Sequence, residues 1–387
     1  MKLPRKTWLQ IISSTLVRTV YNTAFRMVFP FQPILMKGFN IDLAQISRMY
    51  AGQSLIGMVS PVMASISDTR GRRTGMLAGM VMFSLGTLVI VIWPTATGFF
   101  GFLVLSMLAK AVFEPSLIAY FGDIIPYNRR GFVLGITEIS WSLAFFVGVP
   151  VIGFFMDKFN LLAPFILLLI LGLISFLAVL LLFPAENLSK ENRPSIIKNF
   201  KIVFKSGSAL AALAVMLFIC SANQLVNVVF GVWLNDSFGL QIAALGGASA
   251  VIGVAELIGE GGVSAITDRI SKEKAVMIGI TGNVVASLIL PFLGGTVWGA
   301  FLGLFVFYLT FEFSIVSMLP MVTGVLPAAR GSLMALNIAS ANLGRGLGSL
   351  LAAPLYPWGF WTNAVAAAVV NLLAILALQY VIVEEDS

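Results

Sequence analysis

LAPFILLLILGLISFLAVLLLF, residues 162–183, is a continuous apolar run without a single charged residue. At about 1.5 Å of rise per residue, a helix of this length crosses the roughly 30 Å hydrocarbon layer of a bilayer. The run is continuously apolar where a barrel strand would alternate, and lipid requires each backbone amide to be satisfied within its own segment, so a helix is the expected form. Eleven similar runs lie on either side of it, near 8–36, 43–67, 74–93, 98–122, 131–156, 208–236, 241–265, 275–293, 297–323, 331–355 and 358–382. The composition agrees. Of 387 residues, 59% are hydrophobic and 11% charged, and the mean hydropathy is +0.98. Soluble domains are about 45–50% apolar, so water is excluded as the solvent of this chain.

The first run follows Lys2, Arg5 and Lys6, as a signal peptide would, but it is too long, carries Arg18 and Arg26 and lacks a small-residue cleavage site. It is read as a retained helix. The lone cysteine, Cys220, excludes an internal disulfide and says nothing about compartment. The net charge of +7 is not a nucleic-acid footprint, because of where the cations lie. With a cytoplasmic amino terminus, seventeen of the 24 Lys and Arg fall on one side of the membrane, Lys37 and Lys158 alone on the other, and five within spans. That bias places both termini in the cytoplasm of a bacterial inner (plasma) membrane protein.

The longest polar interruption, 185–207, divides the chain into a six-helix half at 1–184 and another at 208–387. Within it, SIIKNFKIVFKS (195–206) mixes Ile196, Ile197, Phe200, Ile202, Val203 and Phe204 with lysines. It reads either as an amphipathic segment lying on anionic lipid or as a disordered linker. Landmarks recur about 200 residues apart: Asp68 and Asp268, Pro126 and Pro327, Arg130-Gly131 and Arg330-Gly331, Gly148 and Gly348. The expected fold is therefore all-α, twelve transmembrane helices in two pseudo-symmetric six-helix bundles, with a site near the midplane.

Between the second and third runs the chain reads ASISDTRGRRTGML (64–77). This resembles the signature loop of the major facilitator superfamily, G-x-L-A-D-R-x-G-R-R, with Ala64 in place of the opening glycine and Thr69 in place of the first arginine. A degenerate echo, SAITDRISKEK (264–274), keeps Asp268 and Arg269 after the eighth run. AKAVFEPSLIAYFGDIIPYNRRG (109–131) is similar to the fourth-helix motif of the drug:proton antiporter branch, with Lys110 where arginine and Glu114 where glycine are usual. Gly148-Val-Pro150-Val-Ile-Gly153 is a variant of that branch's glycine-proline motif. The resemblance implies the major facilitator fold and alternating access, one half rocking against the other.

Independently of the family, Asp68, Arg72 and Asp123 lie at one membrane face and form a candidate conformational latch, since ion pairs there can differ in energy between states. The alternative is that the loop arginines, Arg70 included, only anchor topology. Nine ionisable residues fall deep inside spans: Arg18, Arg26, Lys110, Glu114, Glu138, Glu256, Glu260, Glu312 and Arg345. Arg48, the fifth cation within spans, is set apart because it lies near the outer end of the second and can snorkel to the interface. Insertion scales put a mid-bilayer charge at about 2.5–3.5 kcal/mol, so such groups face a cavity or a partner. Arg18, Asn22 and Arg26 form one helical stripe with Tyr21 beside it, and Lys110 and Glu114 are one turn apart. Glu256 and Glu260, also one turn apart, repel each other and with Glu312 are proton-coupling candidates.

The candidate substrate contacts are Arg18, Asn22, Arg26, Lys110, Glu114, Trp141, Asn227, Glu312 and Arg345. Asn223, Gln224, Asn337 and Asn342 are further polar candidates, and Phe113, Tyr308 and Phe311 further apolar wall. The alternative for the charged set is structural pairing. Without histidine, carboxylates carry any proton coupling, and sodium coupling stays open.

The expected function is secondary active transport, proton-coupled export of an amphipathic or drug-like small molecule by a monomer in contact with membrane lipids, with no cofactor and no metal. The alternative within transport is a lipid, sugar conjugate or organic anion. A membrane enzyme is disfavoured by the absence of histidine and of a phosphate-binding loop, and a receptor or scaffold by the short external loops.

Overall fold

The computed structural model describes residues 3–63, 71–185, 200–266 and 270–383. Asp68, Arg70, Asp268, Arg269 and most of the basic linker lie outside the described residues. All regular elements among those described are helical. In chain order they are α1 (Arg5–Arg26), α2 (Gln32–Phe39), α3 (Leu43–Gly57), α4 (Arg72–Ile92), α5 (Ala96–Ile124), α6 (Tyr127–Glu138), α7 (Ser140–Leu143), a π-helical turn (Ala144–Gly148), α8 (Val149–Lys158) and α9 (Ala163–Leu182). After the linker come α10 (Phe200–Lys205), α11 (Gly207–Asn227), α12 (Phe230–Phe238), α13 (Ile242–Ile266), α14 (Lys272–Leu293), α15 (Val297–Val325), α16 (Arg330–Leu355) and α17 (Phe360–Leu378).

Nine helical stretches among the described residues are long and apolar enough to cross a membrane. The other three expected spans are helical too. The first is broken into α1 and α2, the second is described as α3, and the eleventh is α16, whose Asn, Ser and Arg side chains lower its hydropathy.

Contacts group the chain into two compact units: Met1–Asp42, Val59–Lys190 and Gln241–Gly253 in the first, and Leu43–Met58, Glu191–Leu240 and Val254–Ser387 in the second. The first is cored by aromatic rings, with Phe39 stacked on Phe99 at 5.1 Å and Phe165 edge-on to Phe102 at 5.1 Å. In the second, Val203 of α10 joins a buried apolar cluster with Met216, Met318, Met321 and Leu333. There α3 packs on α16, where Asn342 Nδ2 donates to the Gly57 carbonyl at 3.1 Å.

The internal repeat extends from sequence to local geometry. The helices α5 and α15 are both 29 residues long. Each is capped by a threonine, Thr95 and Thr296, whose hydroxyl accepts from the amide three residues on. Arg130 Nε donates to the Ile125 carbonyl and Arg330 Nε to the Thr323 carbonyl, satisfying helix-end acceptors at equivalent turns. A Cβ at Gly148 would overlap Thr23 of α1, and one at Gly348 would overlap Ser221 and Gln224 of α11. Both glycines thus allow close helix approach.

The first helix of each half is also broken at the same place. α1 ends at Arg26, and Pro30 and Pro33 deny the next turn its amides, so Met27–Phe31 passes through turns before α2. α11 ends at Asn227, and Val229 N turns back to the Val226 carbonyl at 3.1 Å before α12 begins. The π-helical turn Ala144–Gly148 lies just before Pro150, whose missing amide lets the fifth span bend there.

Candidate functional site

In the first unit, Arg18 is buried at 4% exposure. Such a group is tolerable only when fully engaged. Its Nη1 and Nη2 fork onto the Glu138 carboxylate at 2.8 and 3.1 Å. Nη2 also donates to Glu114 Oε1 at 3.2 Å, Nη1 to Thr137 Oγ1 at 3.1 Å, and Nε to the Tyr21 hydroxyl at 3.2 Å. All five N–H donors of a guanidinium are therefore used. Tyr21 in turn donates to Glu114 Oε1 at 3.2 Å.

One turn further along α1, Asn22 accepts from Lys110 Nζ at 3.1 Å and donates to Ser140 Oγ at 3.3 Å. The local pairing expected within the fourth span is present, with Lys110 Nζ 3.6 Å from Glu114 Oε1. The same ammonium lies 4.5 Å from the centre of the Trp141 ring and 5.2 Å from that of Phe25. Another turn on, Arg26 stacks over Phe145 at 3.5 Å and Trp141 at 4.3 Å and donates to the Trp141 carbonyl at 2.9 Å. Desolvated cation–ring contacts of this kind are worth about 2 kcal/mol. Three cations thus meet two carboxylates and an aromatic wall along one face of α1, with the broken end of the helix beside Arg26.

The structure brings together Arg18, Asn22, Arg26, Lys110, Glu114 and Trp141. Thr137, Ser140 and Phe145 were not singled out from the sequence, and Glu138 was noted there only as an intramembrane charge. All four lie on the fifth span; the polar run TEIS at 137–140 inside an apolar stretch is the signal for Thr137, Glu138 and Ser140, while Phe145 carries none.

In the second unit, Tyr308 donates to Asn227 Oδ1 at 2.6 Å, Asn227 Nδ2 to Gln224 Oε1 at 3.2 Å, and Gln224 Nε2 to Ser349 Oγ at 3.0 Å. Asn223 Nδ2 and Asn337 Oδ1 are buried with no hydrogen-bond partner among the described residues. Glu312 lies on α15 and Arg345 on α16 of the same unit. Glu256 is fully buried and Glu312 5% exposed, while Glu260 is half-buried. The Glu312 Cβ lies against Gly259, where an added Cβ would meet it at 3.0 Å. A separate buried network joins α14, α15 and α17: Asn371 Nδ2 donates to Asn283 Oδ1 at 2.7 Å, and Asn283 Nδ2 donates to Thr310 Oγ1 at 2.9 Å.

At the face carrying the signature loop, Gly71 has φ +96°, a conformation that side chains resist. It launches α4, whose buried Arg72 pairs through Nε with Asp123 Oδ2 at 3.2 Å.

Comparison with known proteins gives this arrangement its context. The chain is 25% identical over 359 residues to the uncharacterized MFS-type transporter YwfA of Bacillus subtilis (strain 168), covering 90% of this chain and 85% of YwfA. It is 23% identical over 282 residues to the multidrug resistance protein MdtG of Klebsiella pneumoniae (strain 342), covering 69% of this chain and 67% of MdtG. The crystal structure of a point mutant of the nucleoside transporter NupG superposes with a TM-score of 0.78 at 14% identity, over 97% of this chain and 99% of that one, a likeness of fold. The profile of the Major Facilitator Superfamily matches residues 15–323, and the chain therefore belongs to that superfamily, as a transporter and not an enzyme.

Proposed function

We propose that the chain is a proton-coupled exporter of amphipathic, drug-like molecules, working by alternating access between the bundles formed by residues 1–184 and 208–387. The observation that carries this reading is the face of α1, where Arg18, Asn22 and Arg26 meet Lys110, Glu114 and Trp141. Apolar rings beside fixed charges suit molecules that have both a flat hydrophobic body and a polar end. The multidrug resistance name of the MdtG relative supports the same substrate class. Asn227, Glu312 and Arg345 complete the substrate contacts from the other half. Glu256, Glu260 and Glu312 take up the coupling proton, because buried carboxylates are the groups whose protonation changes most with solvent access. Arg72 and Asp123, with Asp68, act as the latch. The positive-inside bias supports an inner-membrane protein with both termini cytoplasmic, and we take it to act as a monomer.

A second reading, transport of an organic anion, lipid or sugar conjugate, is favoured by one observation: in the cluster along α1, three cations (Arg18, Arg26 and Lys110) stand against two carboxylates (Glu114 and Glu138). One experiment separates the two. Purified protein in proteoliposomes is offered lipophilic cations, zwitterions and organic anions, with and without an interior-acid pH gradient. Gradient-driven accumulation of amphipathic cations or zwitterions is expected. Selective anion flux would favour the second reading, and gradient-independent flux of every compound would refute proton coupling.

A further inference from the structure

Away from the charged cluster, the first unit has a groove of about 430 Å³ lined by Leu3, Arg5, Trp8, Arg129 and Phe132. Two helices build it, and each supplies the same pair in the same order. On α1, Arg5 is followed three residues later by Trp8; on α6, Arg129 is followed three residues later by Phe132. Residues three apart share a helix face, and at about 1.5 Å per residue the ring lies roughly 4.5 Å further along the axis than the cation.

Trp8 and Phe132 meet edge to face with centroids 6.4 Å apart, yet both stay exposed, at 37% and 61%. Exposed rings beside cations, one turn inside a helix start, are the pattern of a membrane interface. Among the described residues neither guanidinium has a carboxylate partner. Each lies in the first turn of its helix, where the amide ends add partial positive charge, and the caps Pro4 and Pro126 supply no side-chain acceptor to neutralise it. The groove is therefore cationic at its mouth and aromatic one turn deeper.

We propose that this groove binds one anionic phospholipid of the inner leaflet, with the phosphate between Arg5 and Arg129 and the glycerol esters and first methylenes against Trp8 and Phe132. The assignment rests on the reading of this face as cytoplasmic. A soluble anion would satisfy the arginines but has no use for the rings. A zwitterionic lipid would satisfy the rings but offer the arginines a phosphate already balanced by its own ammonium, leaving no net charge to neutralise two guanidinium groups. An anionic phospholipid is the ligand whose charge and apolar part are spaced in the order that both helices present.

The test is lipid binding by native mass spectrometry, titrating the delipidated wild-type protein with phosphatidylglycerol and, separately, with phosphatidylcholine of the same chains. Wild type is expected to retain one more phosphatidylglycerol than the Arg5→Ala/Arg129→Ala variant, whose affinity at this site falls about thirtyfold. Phosphatidylcholine is expected not to compete, and millimolar inorganic phosphate not to displace the lipid. Arg5→Lys/Arg129→Lys, which keeps both charges, is expected to retain binding, and Trp8→Ala, which keeps both arginines, to weaken it. Equal retention by the double alanine variant, equal affinity for phosphatidylcholine, or displacement by free phosphate would each overturn the proposal. If the double alanine variant does not fold, the single variants Arg5→Gln and Arg129→Gln decide it by the same comparison. The readout is bound lipid and not flux, so a negative result here leaves the transport reading untouched.

Discussion

Lys110 holds its ammonium 4.5 Å from the centre of the Trp141 ring while donating to Asn22 at 3.1 Å, so one cation ties α1, α5 and α7 together at a single point. The ring fixes where the ammonium sits, and the amide fixes its height. Trp141 is itself shared, since Arg26 stacks on it 4.3 Å from the ring centre. Two cations on one indole repel each other, and they stay together because the ring face and the Trp141 carbonyl hold them in place.

Replacing Trp141 should therefore disturb transport more than folding. Trp141→Phe keeps a ring under both cations and should reduce substrate flux about twofold to fivefold, whereas Trp141→Leu removes about 1–2 kcal/mol of cation–ring attraction and should reduce it about tenfold. Initial rates in proteoliposomes across a substrate series check this. Equal rates for the leucine variant and wild type would show that the aromatic wall takes no part.

Removing Arg18 leaves two carboxylates without their shared cation, whereas removing Glu138 still leaves Arg18 paired with Glu114. Breaking a buried ion pair from one side typically loses about 3–5 kcal/mol, less where one partner is only partly buried, as Glu138 is with half its side chain exposed. Thermal unfolding in detergent should rank Arg18→Ala as the most destabilised variant, Glu114→Gln next and Glu138→Gln mildest. Arg18→Lys should not restore stability, because an ammonium cannot fork onto Glu138 and also reach Thr137 and Tyr21.

Glu256→Gln should abolish accumulation driven by a pH gradient while leaving substrate exchange across the same vesicles intact, whereas Glu312→Gln, at a side chain also proposed to touch substrate, should abolish the accumulation and weaken exchange as well. Glutamine keeps the shape of glutamate and cannot exchange a proton, so at Glu256 the loss of coupling alone is the diagnostic result. Undiminished gradient-driven transport in both variants would remove these carboxylates from the coupling step.

At Gly148 and Gly348 an added methyl has nowhere to go. Alanine at either should lower stability by about 1–3 kcal/mol through overpacking against α1 or α11. Gly131→Ala, which meets nothing within 4 Å, is the control and should unfold at the wild-type temperature. Pairing Gly148→Ala with Thr23→Ala removes the obstructing hydroxyl and should recover part of the loss.

Much of this was legible in the sequence because the bilayer simplifies reading. A run such as 162–183 has one stable form in lipid, and α9 is that form. Helical spacing within one span was equally readable: the stripe Arg18, Asn22, Arg26 and the pair Lys110, Glu114 follow from 3.6 residues per turn. What spacing does not contain is the partner across helices. Arg18 and Glu138 are 120 positions apart, and only packing of α1 against the fifth span selects Glu138 over the other intramembrane carboxylates. The break at Met27–Phe31 is written in Pro30 and Pro33, but its counterpart after Asn227 has no proline and comes from tertiary context. Asn283 and Asn371 are 88 positions apart, and only the packing of α14 beside α17 pairs them.

The saturation of Arg18 has a consequence for recognition. A guanidinium whose every N–H is already committed offers nothing to an arriving ligand, so a substrate acid group that engages it must evict Glu138 or Glu114. Affinity there is then a difference between two anions competing for one host. A newcomer therefore has to hold the guanidinium better than the resident carboxylate does, which makes this host selective before it is strong.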